Sequence, residues 1–304
     1  MVRRSVHILI FLLILSACGD PASRETSNPT KPDVLASTTF LADIVRNIAG
    51  ERLVVQSLLP VGADPHSYQP TPKDLVKINE SKLLVINGLE YEHFLESLLE
   101  NAGGERSIIT ASDGLEPRTM EDEENAGKMA SDPHMWLDPS RVVTYVENIR
   151  AGLTQYDRNG ADVYQSNADE YTAKLMNLDE WIKDQVAQIP PERRLLVTNH
   201  EALGYFSEHY GFKVIGTVLP SVSSDASASA GQLAELIDGI KASGASAIFL
   251  DASENPTLAQ QIADETEIIV ITDLHLESLT DGPPAATYID MMQHNVMQIV
   301  SALH

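Results

Sequence analysis

Four residues of this chain have the type and the setting to hold a transition-metal ion: His66, His134, His200 and Asp273. The tripeptide Asp-Pro-His occurs twice, at Asp64-Pro65-His66 and at Asp132-Pro133-His134. Proline fixes its own φ and restricts the residue before it, so each imidazole rides on a stiff turn. A ligand that is already held loses less entropy on binding. His200 stands in Thr198-Asn199-His200-Glu201, after an apolar run, and Asp273 stands after Val270-Ile271-Thr272. Three imidazoles and one carboxylate suit a four- or five-coordinate ion such as zinc. Calcium and magnesium prefer oxygen donors and would reject such a set. The usual affinity order of divalent ions places zinc above manganese at a site of this kind.

Taken singly, each of the four has a plainer reading. A repeated Asp-Pro-His can be turn chemistry. His200 can cap a helix, and Glu201 beside it competes as the ligand. Asp273 alone reads as an ordinary turn or N-cap aspartate. The chemical reading rests on the four together. Of the other histidines, His93, His209, His275 and His294 read as structural or solvated, with His275 a reserve ligand because it is close to Asp273; His304 is the last residue.

The elements that must position these residues alternate. Strand-like runs are expected at 34–38, 53–59, 83–86, 195–198, 213–218, 247–250 and 268–271. Helical spacing is expected at 40–45, 72–81, 91–102, 139–153, 202–210, 232–243, 257–264 and 288–303. Short strands alternating with helices give βα units and a mainly parallel sheet. In open α/β sheets, ligands bind beyond the carboxyl ends of the strands, where His66, His200 and Asp273 are expected. Between the two sets runs one long helical stretch, 161–189, with Tyr164, Ala168, Tyr171, Leu175, Leu178, Ile182 and Val186 on one face. At 1.5 Å per residue it spans on the order of 40 Å, and Pro190-Pro191 ends it. Residues 115–131, with the acidic run Glu121 to Glu124, read as a surface loop. The expectation is α/β: two lobes, each a small mainly parallel sheet flanked by helices, joined by a rigid backbone helix. The lobes are expected at 33–158 and 191–304, with the linking helix at 159–190.

The chain has 304 residues, 43% of them apolar, with 21 Lys+Arg against 44 Asp+Glu and a formal charge of -23. Binding to a phosphate backbone needs a basic surplus, so nucleic acid is excluded as a partner. The one cysteine, Cys18, forbids an intramolecular disulfide or a multi-cysteine zinc site. The first residues are basic at Arg3 and Arg4. An apolar run follows, too short for a bilayer, and ends in Leu15-Ser16-Ala17-Cys18. That tetrapeptide resembles the lipobox of bacterial lipoproteins. The resemblance implies a signal peptide over 1–17, lipidation of Cys18 and anchoring to a membrane on the extracytoplasmic side. Residues 18–32, polar and rich in Ser, Thr and Pro, read as a flexible tether.

The segments Asp64–Pro72, Asp132–Pro139, Thr198–Phe206 and Thr272-Asp273 together resemble the zinc- and manganese-binding substrate-binding lipoproteins of ABC importers, also called adhesin-like lipoproteins, from about Val34 to Leu303. The resemblance implies two lobes joined by one long helix with the metal between them. It makes His66 and His134 the ligands from the first lobe, His200 the third and Asp273 the fourth. Zinc, or alternatively manganese, would then be cargo handed to an importer permease and its ATPase by a monomeric carrier without enzymatic activity. Manganese-selective members tend to carry two His and two carboxylates, and many zinc members three His with a long His-rich loop; with three His but a short acidic loop over Glu121 to Met129, this chain resembles members that accept both metals, with a lean toward zinc. A metal-dependent hydrolase with Glu201 as base, and an adhesin, are the other readings.

Overall fold

The computed structural model describes residues 33–103, 105–121 and 129–304. Arg3, Arg4 and the Leu15–Cys18 tetrapeptide lie outside these residues, as does most of the acidic run. No helix among the described residues is long and apolar enough to cross a membrane.

Lobe one is built from β1 (Val34–Ala36), α1 (Thr39–Ala49), β2 (Val55–Ser57), α2 (Pro72–Glu80), β3 (Leu83–Ile86), α3 (His93–Asn101) and β4 (Ser107–Thr110). Its sheet has the order β2-β1-β3-β4, parallel throughout. A hairpin, β5 (Thr119–Glu121) with β6 (Met129–Ser131), precedes α4 (Pro139–Tyr156). After α5 (Ala161–Val186), lobe two follows as β7 (Leu195–Thr198), α6 (Gly204–Tyr210), β8 (Lys213–Thr217), α7 (Ala230–Ser243), β9 (Ala247–Asp251), α8 (Thr257–Thr266), β10 (Ile269–Leu274) and α9 (Tyr288–Leu303). Its sheet runs β10-β9-β7-β8, again all parallel.

Strand residues alternate between two cores because successive side chains leave opposite faces of a sheet. Val34, Ala36, Leu83 and Val85 enter a central core, while Leu35 and Leu84 enter an outer core with Phe94 and Leu98. In lobe two, Ala247 and Phe249 face the central core, and Ile248 and Leu250 face a second outer core with Leu236 and Ile262. The central core is continuous from Val34 to Leu303 and therefore belongs to both lobes.

The long helix α5 buries the seven residues that its spacing predicts, from Tyr164 to Val186. Its 26 residues extend about 39 Å, and it packs on α1 and α4 of lobe one and on α6 and α9 of lobe two. Local signals start the neighbouring helices. Asp138 caps α4, accepting from Ser140 N, with Pro139 in its first turn. Ser229 and Gln232 form a reciprocal capping box at α7.

Two departures from the sequence reading bear on the site. The segment read as a surface loop over 115–131 contains the β5–β6 hairpin. More important, the strand expected at 268–271 continues as β10 to Leu274, so Asp273 lies within the strand rather than beyond it.

Candidate metal centre

His66 lies on the loop between β2 and α2, His134 just before α4, and His200 beyond the carboxyl end of β7. Both Asp-Pro-His segments fold alike. The backbone N–H of His66 donates to Asp64 Oδ1 at 2.9 Å, and that of His134 donates to Asp132 Oδ1 at 3.0 Å. An aspartate that accepts the N–H two residues on makes a closed turn, and the intervening proline stiffens it. Asp132 does more than Asp64: its Oδ1 also accepts from His134 Nδ1 at 2.9 Å, which points Nε2 inward. His200 is oriented in the same way by Glu254, whose Oε1 accepts from Nδ1 at 2.8 Å. Glu254 is itself held by Asn199 Nδ2 at 2.7 Å and Asp251 N at 2.9 Å.

The three imidazoles converge on Glu277, which follows β10 on the way to α9. Among the described residues, one ligand atom from each of His66, His134, His200 and Glu277 lies within 4.8 Å of all the others. Glu277 Oε1 is 3.2 Å from His134 Nε2, 3.4 Å from His200 Nε2 and 3.9 Å from His66 Nε2, and the first two nitrogens are 3.3 Å apart. A tetrahedral zinc ion with ligands at about 2.05 Å has ligand–ligand edges of about 3.3 Å, which the three distances among His134, His200 and Glu277 match, while His66 stands farther off. All four side chains are buried. His66 Nε2 and Glu277 Oε1 make no hydrogen bond, an arrangement that costs free energy unless something else satisfies them. The other carboxylate oxygen, Oε2, is engaged: Tyr91 donates its hydroxyl to it at 2.5 Å.

Asp273 does not join this cluster. Its residue is exposed, on edge strand β10, and its carboxylate lies 3.3 Å from His294 Nε2 and 3.8 Å from His275 Nε2. The strand's extension is the reason: Asp273 lies in the irregular stretch between Ile271 and Leu274, where the register with β9 shifts, and beside His294 of α9, while Glu277 comes after the strand has ended at Leu274. Glu277, four residues on, takes the position expected for Asp273. Several bonds fix it there. Asp251 Oδ2 accepts from Leu276 N and Glu277 N at 2.5 and 3.2 Å, while Trp136 Nε1 donates to Leu276 O at 2.8 Å. Glu201 is likewise outside the cluster; its backbone N–H donates to Ser221 O at 2.8 Å.

The cluster's electrostatics follow from burial and proximity. Burial pushes His66 down to about 4 despite the attraction of Glu277, so it is a neutral imidazole at neutral pH. For His200 burial acts in the same direction but is outweighed by the bond to Glu254 and by the nearby carboxylate of Glu277, which raise it to about 10. His134 is also raised, burial being overcome by Glu277 and by its bond to Asp132. Burial would raise Glu277, yet His134 and His200 hold it well below the usual carboxylate range. The site thus gathers positive charge around an ionised carboxylate, and a divalent cation can replace protons there.

The sequence profile of the family described as zinc-uptake complex component A, periplasmic, matches residues 34–302. The chain is 32% identical over 300 residues to the manganese-binding lipoprotein MntA of Halalkalibacterium halodurans, covering 98% of this chain and 97% of that protein. It is 30% identical over 312 residues to the manganese ABC transporter substrate-binding lipoprotein PsaA of Streptococcus pneumoniae, covering 100% and 99%. Among solved structures, the periplasmic zinc-binding protein TroA of Treponema pallidum superposes with a TM-score of 0.81 at 29% identity, over 90% of this chain and 99% of that one. A manganese-bound periplasmic metal-binding protein from Candidatus Liberibacter asiaticus gives 0.80 at 32%, over 89% and 99%. With two parallel four-stranded sheets on one long helix and matches of this length, the chain belongs to the family of the periplasmic zinc-uptake component A.

Proposed function

We propose that this chain is the extracytoplasmic metal carrier of an ABC importer, and that His66, His134, His200 and Glu277 hold its cargo ion. The observation that carries the reading is the set of four buried ligand atoms, two from each lobe, all within 4.8 Å of one another. The relatives named as manganese-binding and zinc-binding lipoproteins or periplasmic proteins support it. The cargo is zinc ahead of manganese: Tyr91 occupies Glu277 Oε2, which leaves one carboxylate oxygen, and three imidazoles complete a four-coordinate set. The burial of all four ligands supports a carrier over a hydrolase, which needs an open position for water and a base beside it.

In this reading Cys18 carries the lipid, residues 18–32 form the tether, and the monomer delivers its ion to the permease and its ATPase. The lobe boundaries remain 33–158 and 191–304, joined by 159–190.

The test is metal content and zinc–manganese competition on the purified domain, in wild type, Glu277→Gln and Asp273→Ala. One ion per chain, bound at least about tenfold more weakly after Glu277→Gln, and tightest binding unchanged after Asp273→Ala, is the expected result. No stoichiometric ion in wild type, or loss with Asp273→Ala but not with Glu277→Gln, overturns the assignment.

A further inference from the structure

Asp273, displaced from the buried centre, has other company. Its carboxylate, His275 and His294 form a separate cluster whose ligand atoms all lie within 4.8 Å of one another. We propose that these three residues form a second, surface site for a divalent transition ion of the zinc, nickel or copper kind.

The geometry is that of a half-built coordination shell. Asp273 comes from β10, His275 from the residue just past its end, and His294 from the second turn of α9. The two imidazole rings are 5.3 Å apart, inclined at 42°. Asp273 Oδ1 is 3.8 Å from His275 Nε2, and Oδ2 is 3.3 Å from His294 Nε2. The backbone of His275 is fixed on both sides by Asn295, which accepts from its N–H at 2.8 Å and donates to its carbonyl at 2.7 Å. A ligand on such a support is already positioned. Gln298 Nε2 donates to Asp273 Oδ2 at 3.1 Å and steadies the carboxylate.

A purely structural role explains only part of this. His294 Nε2 lies 2.7 Å from the backbone carbonyl of Asp273, a good hydrogen bond that accounts for one ring. It leaves His275 Nε2 buried beside a carboxylate with no hydrogen-bond partner. A bound ion would satisfy Nε2 of His275 and take Nε2 of His294 in exchange for its bond to the carbonyl.

Two imidazoles select against calcium and magnesium. The exposed carboxylate leaves the remaining positions to water, so the site binds more weakly than the four-ligand centre and exchanges faster. It is independent of that centre, although His275 and Glu277 lie on one short loop.

The test is a zinc titration of the purified domain, followed by calorimetry and native mass spectrometry. Wild type is expected to take two ions, the second more weakly. His294→Ala and Asp273→Asn, the one half-buried and the other exposed, should weaken the second at least about tenfold while keeping the first. Glu277→Gln should lose the tight ion and keep the weak one, which separates this proposal from the carrier reading. His93→Ala, an exposed histidine elsewhere, should change neither. The ring protons of His275 and His294 should shift only with the second equivalent. A second ion that survives His294→Ala and Asp273→Asn unchanged, or the absence of any second ion, overturns the proposal.

Discussion

At the scale of single residues, the proposed centre is oriented by groups outside its four ligands. Glu254 and Asp132 each hold one imidazole by its Nδ1, and such partners typically contribute a factor of 10 to 100 in metal affinity. Glu254→Ala is therefore expected to weaken zinc binding by about that factor while the fold is retained, as read by zinc competition and circular dichroism. An unchanged affinity would mean that His200 is oriented by the backbone alone. The pH dependence follows from His200, whose pKa is raised from an ordinary 6.5 to about 10. It carries a proton across the neutral range, and zinc must displace it. Affinity should fall by at least about tenfold for each unit that pH drops between 8 and 6, and a flat profile would refute the protonation scheme. His66, lowered to about 4, adds nothing in that window. For the metal-free fold the sign is opposite: a raised histidine stabilises fully below 6.5 and ceases to do so as pH rises through about 10. That His66, His134 and His200 belong together was legible in the sequence because Asp-Pro-His and the strand-end His200 are local signals, and the structure brings the three side chains into one cluster. Glu277 was not, because nothing local marks it; it is placed by bonds to Asp251 and Trp136, residues remote in the chain.

At the scale of elements, α5 was the most legible part of the molecule: seven apolar residues at helical spacing became its buried face without exception. Leu175 is fully buried there. Leu175→Ala should cost about 2–5 kcal/mol of stability through lost contacts and a cavity, whereas Met176→Ala, at 61% exposure, should stay within about 0.5 kcal/mol. Thermal or denaturant unfolding of the two variants checks this, and equal effects would contradict the packing described. Short elements were less legible. Strand β4 is four residues at a sheet edge with only Ile109 buried, too little pattern to announce itself. The end of β10 was misplaced because Thr272 and Asp273 are exposed and polar, and such residues read as a turn. In fact pairing of Leu274 with Asp251 of β9 keeps the segment in the sheet.

At the scale of the whole molecule, the lobes are bound together more than their name suggests. One core runs from Val34 to Leu303. Hydrogen bonds cross between the lobes at Tyr91–Glu277, Trp136–Leu276, Thr39–Leu279, Asp43–Tyr288 and Asp64–Ser224. A wide hinge opening would break these together, so capture and release should involve only a small local movement. Small-angle scattering profiles with and without zinc are expected to coincide within error. A clear increase in radius on removing the ion would show instead that the halves separate.

That single core also bears on how such a chain can be cut and recombined. Each half on its own would expose the inner face of its sheet, and α5 would lose half of its packing. Exchanging one half for the corresponding half of a relative would therefore require matching an interior rather than joining two modules at a linker. New metal preferences are more readily reached through the loops that carry His66, His134, His200 and Glu277 than through swapped lobes.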